Sequence, residues 1–346
     1  MSIFSGYEKM PDKIKKIGLN EQAMSRFGKL KWVVTEKVHG ANFSFFYEQG
    51  TLKFAKRREY LEWTSDFFGY QLVVSRLESN MMRLFERLSL SYPEARYIIY
   101  GELFGGVYPH EEIAAVANLQ AIQTGVYYSP DIHFYAFDIA ILDKFGQKYY
   151  LDYETSINYF EEYDLFYAKP LFVGKMNEAL NFDIRINSSI PRQLGLPELE
   201  DNLIEGVVVK PYHVVDKTWL LERPIIKLKN PEFNELSKFH EAERWSFIPD
   251  VSSRTESLSF LVEAMRAYVT DNRLNSVISK IGTLDLGNVN RVCELEAEFL
   301  TDISVDFNEH NQLILDDLTR EDREWIEERL KSDIYKIMQK AYWAGL

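Results

Sequence analysis

Cysteine is nearly absent. The single one, Cys293, excludes an intrachain disulfide and fits a reducing compartment, the cytoplasm or, for a viral chain, the host cytoplasm. Long apolar runs are missing too, and the opening MSIFSGYEKMPDKIKK lacks the apolar heart of a secretory leader. Neither a leader nor a membrane partner is therefore expected. No Gly-x-Gly-x-x-Gly and no Gly-x-x-x-x-Gly-Lys-[Ser/Thr] occurs, which removes the dinucleotide-binding and P-loop classes. No His/Cys cluster suits zinc. Positive charge is in deficit. The 40 Lys and Arg face 53 Asp and Glu, a net charge of −13 that argues against a nonspecific nucleic-acid binder.

The deficit is uneven. Residues 251–346 hold 11 Lys and Arg against 18 Asp and Glu, whereas KFAKRR (53–58) is tightly basic. Global acidity weakens long-range attraction to a polyanion without forbidding a locally basic groove. The 346 residues suffice for two or three domains.

Up to about residue 240 the texture is mixed. KWVVTEKV, NFSFFYEQ, TLKFAKR, YIIYGELF, HFYAFDIAIL, IEGVVVKP and PIIKLKN are β-branched or aromatic and bounded by turn signals, so each is expected to be a strand. Gln49-Gly50 and Gly146 suit hairpin turns. Helical spacing runs through 67–88, with Leu72, Leu77, Met81, Leu84 and Leu88 roughly on one face. Asp152 is a candidate N-cap for a helix over 152–163. Beyond 240 strand signals vanish. Leu261, Met265 and Tyr268 form one helical stripe, and Ile326, Leu330, Ile334 and Met338 another. In the acidic helix over 316–329, Asp316 and Arg320 have i,i+4 spacing. WSFIPDVSS, with Pro249, interrupts both patterns and marks a linker. An α+β fold is expected over residues 1–243, then a linker at 244–250 and an all-helical domain at 251–346.

Charges inside strand-like runs are the unusual feature. TEKVHGANFSF sets Lys37 between an apolar run and a Gly-Ala-Asn turn. A partly desolvated lysine on a rigid element loses proton affinity and becomes a nucleophile, and Gly40 would let a ligand approach the backbone closely. Taken alone, the stretch fits a surface lysine before a turn better. YGELFGG adds Glu102, FYAFDIAI adds Asp138, IEGVVVKP adds Glu205 and Lys210, and PIIKLKN adds Lys227 and Lys229 on one face of a strand. Each fits a structural salt bridge. Together, lysines and acids on separate strands suit a polyphosphate, with the carboxylates reaching it through Mg²⁺.

In order and spacing, EKVHGANFSF, FAKRRE, GELFGG, FYAFDI, EGVVVKP and IIKLKN resemble the motifs of covalent nucleotidyltransferases, and in detail the ATP-dependent RNA ligase 2 family. RLNSVISKIG (273–282) resembles part of that family's C-terminal domain. The resemblance implies an ATP-grasp-like ligase domain of antiparallel sheets with flanking helices, followed by a small helical domain. It makes Lys37 the catalytic nucleophile toward ATP and Glu36 a residue that positions adenine. Asn42 and Arg57 contact phosphate, Glu102 accepts the ribose hydroxyls, and Phe137 stacks on the base. Asp138 and Glu205 serve metal-assisted transfer, with Glu205 the ligand for Mg²⁺ or Mn²⁺, and Lys227 and Lys229 neutralise phosphates. His39 matches a functional histidine, though a turn residue bonded to nearby backbone is an equal reading. Lys210 reads evenly as a phosphate ligand or a strand-end lysine. The implied partner of this monomer is nicked double-stranded RNA or an RNA-containing duplex. A DNA ligase or a GTP-dependent capping enzyme fits less well, because those families usually append a β-barrel. An inactive RNA-binding relative would not need this full set.

Overall fold

Buried strands read as continuous apolar runs, and their charges cluster where the runs stop. A computed structural model describes residues 4–17, 21–213, 224–231, 233, 247–249, 251–311 and 314–344. β1 (Lys31–Glu36) is buried at every position after Lys31, as a strand covered on both faces must be. It is followed by β2 (Ala41–Glu48), β3 (Thr51–Lys56), β4 (Tyr60–Leu61), β5 (Arg96–Val107), β6 (Ser129–Leu142), β7 (Lys148–Tyr150), β8 (Pro170–Lys175), β9 (Gly206–Pro211) and β10 (Ile226–Lys229). Two sheets result, of order β10-β9-β1-β8 and β4-β3-β2-β5-β6-β7. The described registers are all antiparallel. The short segment 37–40 carries the chain from the first sheet into the second, so its residues stand between them.

All seven expected strands form. The hairpin turns hold as well, with φ of 49° at Gln49, 81° at Gly50 and 81° at Gly146. β8 carried no signal because it is a half-exposed edge strand opening on Pro170. The helix expected over 67–88 spans Tyr70–Ser91, and its buried face centres on Val74, Glu78, Met81 and Phe85. Leu72 and Leu77 lie at its margin, since bulky Phe85 and the Val73-Val74 pair set the rotation. Asp152 caps helix Tyr153–Glu162, accepting from the Thr155 amide at 2.8 Å.

By contacts the chain divides into Met1–Glu48 with Leu52–Val251, and Gln49–Thr51 with Ser252–Leu346. The expected linker, 244–250, lies outside the described residues except for 247–249. The later unit carries helices Arg254–Arg266, Asp271–Ile281, Val289–His310 and Arg320–Ala344. Leu261, Met265, Ile326, Leu330, Ile334 and Met338 meet in its core, with Tyr268 against it. The expected Asp316–Arg320 pair does not form. The last helix begins only at Arg320, which pairs forward with Glu324 at 2.7 Å, while Asp316 accepts from Asn308. Among the described residues no helix is long and apolar enough to cross a membrane.

Candidate active site

Lys37 follows the last residue of β1, and its amide donates to Gly206 O at 2.9 Å, pinning it to β9. Glu205, just before β9, is 3% exposed and takes two lysine ammonium groups and an imidazole: Lys37 Nζ at 2.5 Å, Lys229 Nζ at 3.0 Å and His39 Nδ1 at 3.5 Å. Burial alone would raise its pKa. The His39 hydrogen bond and the Lys37 and Lys229 ammonium groups outweigh burial and hold the carboxyl well below the usual carboxylate range. His39 thus turns its ring to Glu205, edge-on to Phe233 at 4.6 Å, while its amide donates to Tyr128 Oη. Register pairs Lys227 with Val208 and Lys229 with Gly206, and the intervening Leu228 faces the core. Lys227 is held below the usual lysine range by burial and by the nearby charges of Lys229 and Lys37, with a smaller part from Lys9.

These groups border a cavity of ≈ 280 Å³. Eleven of the twelve residues given a role from the sequence line it, Lys210 among them; His39 does not, but reaches Glu205. Phe137 reaches the cavity through a β-bulge. Tyr100 pairs with Asp138 and Gly101 with Ala136, leaving Phe137 the extra residue, and a bulge re-aims such a side chain. Both Phe137 and its neighbour Asp138 therefore face the same space, which regular alternation forbids.

Asp138 is committed elsewhere than the sequence suggested. It is 1% exposed; Lys210 Nζ donates to its Oδ1 at 2.8 Å and Tyr7 Oη to its Oδ2 at 2.6 Å. Lys210 also donates to Phe137 O at 2.9 Å. Lys210 stands at the end of β9, as one of its two expected readings has it, and there it is buried as the partner of Asp138. Glu36 is likewise enclosed, accepting from Ser188 Oγ at 2.6 Å, Ser189 N at 2.9 Å and Ser189 Oγ at 2.8 Å. Burial raises its pKa against those bonds. Tyr7, Ser188 and Ser189 carried no signal, since they lie far along the chain from the motifs they support.

Asn42 of β2 sits opposite Glu102 of β5 in register. Burial pushes Glu102 up to about 7 against the pull of Lys37. Asn42 Nδ2 donates to Gly101 O at 3.3 Å, whereas its buried Oδ1 meets no donor among the described residues. Arg57, just after β3, lines the cavity from an exposed position. Gly40 serves the protein and not a ligand. A Cβ there would fall 2.0 Å from Leu103 O and 2.9 Å from Glu102 Cγ, so the turn is pressed onto β5 itself.

Among the described residues no group of three His, Cys, Asp or Glu is placed to hold a metal. The wall still fits Mg²⁺ in its usual manner, bound by one or two carboxylates plus substrate phosphates and waters. Glu205 is ionised and faces the cavity, and Asn42 Oδ1 is an oxygen acceptor without a donor. Asp138 also lines the cavity, and its two oxygens are held by Lys210 and Tyr7 as those of Glu205 are by Lys37 and Lys229.

The family profile described as RNA ligase matches residues 30–229, and that described as T4 RNA ligase 2 C-terminal matches 252–336. The mitochondrial RNA-editing ligase 2 of Trypanosoma brucei brucei is 30% identical over 294 residues, 73% of this chain and 70% of that one. The mitochondrial RNA-editing ligase 1 of the same organism is 31% identical over 317 residues, 76% and 67% of the respective chains. A solved Naegleria gruberi RNA ligase overlaps at a TM-score of 0.42 and 15% identity, and this chain spans 57% of its length. With both segments matched in order, the chain belongs to the RNA ligase family, in its RNA ligase 2 branch.

Proposed function

We propose that this RNA ligase works through a lysyl-AMP on Lys37 and seals 3′-hydroxyl/5′-phosphate nicks in duplex RNA at the expense of ATP. The observation that carries the reading is the Lys37 amine on the cavity wall, beside ionised Glu205 and the Lys227/Lys229 pair. In the first step the Lys37 nitrogen attacks the α-phosphorus of ATP. A P–N bond forms, the α–β P–O bond breaks and pyrophosphate leaves. The proton shed by the amine has Glu205 Oε2 as its neighbour at 2.5 Å. AMP then passes to the RNA 5′-phosphate, and the 3′-hydroxyl displaces it as the phosphodiester forms. Each step is an in-line attack on phosphorus, so one cavity serves all three.

Phe137 supplies a face for adenine, a stacking contact worth ~1–3 kcal/mol. Glu102, once ionised, accepts from ribose hydroxyls. Lys227 and Lys229 receive the charge that moves to pyrophosphate, and Arg57 and Asn42 address the phosphate being transferred. Glu205 and Asn42 are the candidates to hold a divalent cation, which when bound would neutralise phosphate charge. Residues 1–243 form the adenylyltransferase domain and 251–346 the part needed for sealing. We place the protein as a monomer in a reducing, cytoplasmic setting, given its single exposed cysteine. Preference for an RNA duplex over DNA follows from the family likeness, because no single residue carries it.

Incubation with α-labelled ATP and Mg²⁺ tests the reading. A covalent protein–AMP adduct supports it, and the same adduct from GTP would favour a capping enzyme. No adduct with either nucleotide would mark an inactive RNA-binding relative.

A further inference from the structure

The N-terminal segment brings exposed positive charge to the edge of the nucleotide cavity. Tyr7, Glu8 and Met10 line that cavity. The amide of Lys227 donates to Pro11 O at 3.0 Å, so the segment runs along the outer edge of β10, the strand bearing Lys227 and Lys229. Lys9 lies near enough for its charge to be felt at Lys227. Past Pro11, the turn Ile14–Ile17 half-buries its two isoleucines and leaves Lys13, Lys15 and Lys16 exposed. Residues 9–16 thus contain four lysines and one acid.

That acid, Asp12, pairs with Lys16 at 2.7 Å. Lys9, Lys13 and Lys15 have no carboxylate within ion-pair distance among the described residues. The helical unit is the opposite case. There Arg266, Arg273, Lys280 and Arg291, among others, each hold a carboxylate. In a chain of net charge −13, attraction to a polyanion must come from cations not already answered, and screening confines it to within about 8–10 Å of them.

We propose that residues 9–16 are a cationic arm that grips the phosphodiester backbone of RNA beside the cavity, with Lys13 and Lys15 as the contacts. The inference rests on the RNA-ligase reading above. A role toward the ATP triphosphate is disfavoured because Lys13 and Lys15 do not line the cavity, where Lys227 and Lys229 do.

The test uses the full chain and its Lys13→Ala/Lys15→Ala variant, with Lys13→Arg/Lys15→Arg as the charge-keeping control. Binding to a nicked RNA duplex is measured by fluorescence anisotropy across a KCl series, and adduct formation with labelled ATP in parallel. Each phosphate contact contributes roughly 0.7–0.9 to the slope of log K against log salt. The alanine pair should therefore lower the slope by about 1.5 and weaken binding several-fold at low salt. Adduct formation should hold, and the arginine pair should restore the slope. Equal slopes for wild type and the alanine pair overturn the proposal. So does loss of adduct formation with unchanged RNA binding, which would assign the arm to the triphosphate. Wild type that binds no RNA at any salt defeats the RNA-ligase reading as well, a separate and recognisable result.

Discussion

Lys37 Nζ lies 2.5 Å from Glu205 Oε2, and the carboxylate is 3% exposed against 20% for the lysine. In the proposed reaction Lys37 is therefore held against an anion with which a triphosphate must compete. Lys37→Ala should reduce adduct formation to background on a labelled-ATP gel. Glu205 keeps Lys229 and His39, so the stability loss should stay below the ~3–5 kcal/mol of a fully broken buried pair. A variant that still becomes labelled would move the nucleophile to another residue.

Glu205→Gln removes the charge that aligns Lys37, Lys229 and His39. Electrostatic groups of this kind are worth about 10²–10³ in rate, and a loss of that order is expected in single-turnover adduct formation. The Mg²⁺ concentration giving half-maximal rate should rise as well. An unchanged Mg²⁺ requirement would show that the cation is held elsewhere.

Glu102 gives a pH signature. Its folded pKa of about 7 stands above the ordinary 4.5. The folded state thus binds the proton more tightly, and the stability this gives is fully present below pH ~4.5 and lost as pH rises to about 7. If Glu102 accepts from ribose in its ionised form, as proposed, adduct formation should rise across the same upper range, with an inflection near 7. Glu102→Gln should flatten the stability profile between those limits and abolish the inflection, while reacting at least tenfold more slowly. Chemical denaturation and initial rates over pH 5–8.5 check both.

Asp138 and Lys210 form a pair 2.8 Å apart that is 2% and 5% exposed at the side chains. Asp138→Asn or Lys210→Met alone strands a buried charge and should cost about 3–5 kcal/mol by denaturant titration. The double variant should recover part of that. The Mg²⁺ requirement of whatever activity remains should not shift, in contrast with Glu205→Gln.

Residues 1–250 alone should still form the adduct but seal nicked RNA poorly. The first half follows from the cavity, whose lining residues all precede 230. Gel assays for labelling and for joining, run on one preparation checked for folding by circular dichroism, separate the two activities.

Much of this site could be read before any coordinates. The strands were legible because each is an apolar run ended by a turn, and Lys37, Glu102, Glu205, Lys227 and Lys229 stood out as charges interrupting such runs. The partners of those charges were not legible. Nothing in the letters joins Glu36 to Ser188 and Ser189, or Tyr7 to Asp138, because such contacts depend on how two sheets approach each other. Asp138 shows the same limit. A carboxylate in an apolar strand is conspicuous, but its ligand, a lysine 72 positions away, is fixed only by folding. Phe137 depended on a bulge, a one-residue excess that strand periodicity does not reveal.

The missing side chain at position 40 has a reach beyond its turn. Leu103 O occupies the place where a methyl group would sit, and the turn that carries Gly40 leads from Lys37 to the strand paired with that of Glu102. Even an alanine methyl there would press on Leu103 O and on Glu102 Cγ, so the turn that follows Lys37 would have to shift against β5. The spacing between Lys37 and Glu102 is thus gauged by a single hydrogen atom.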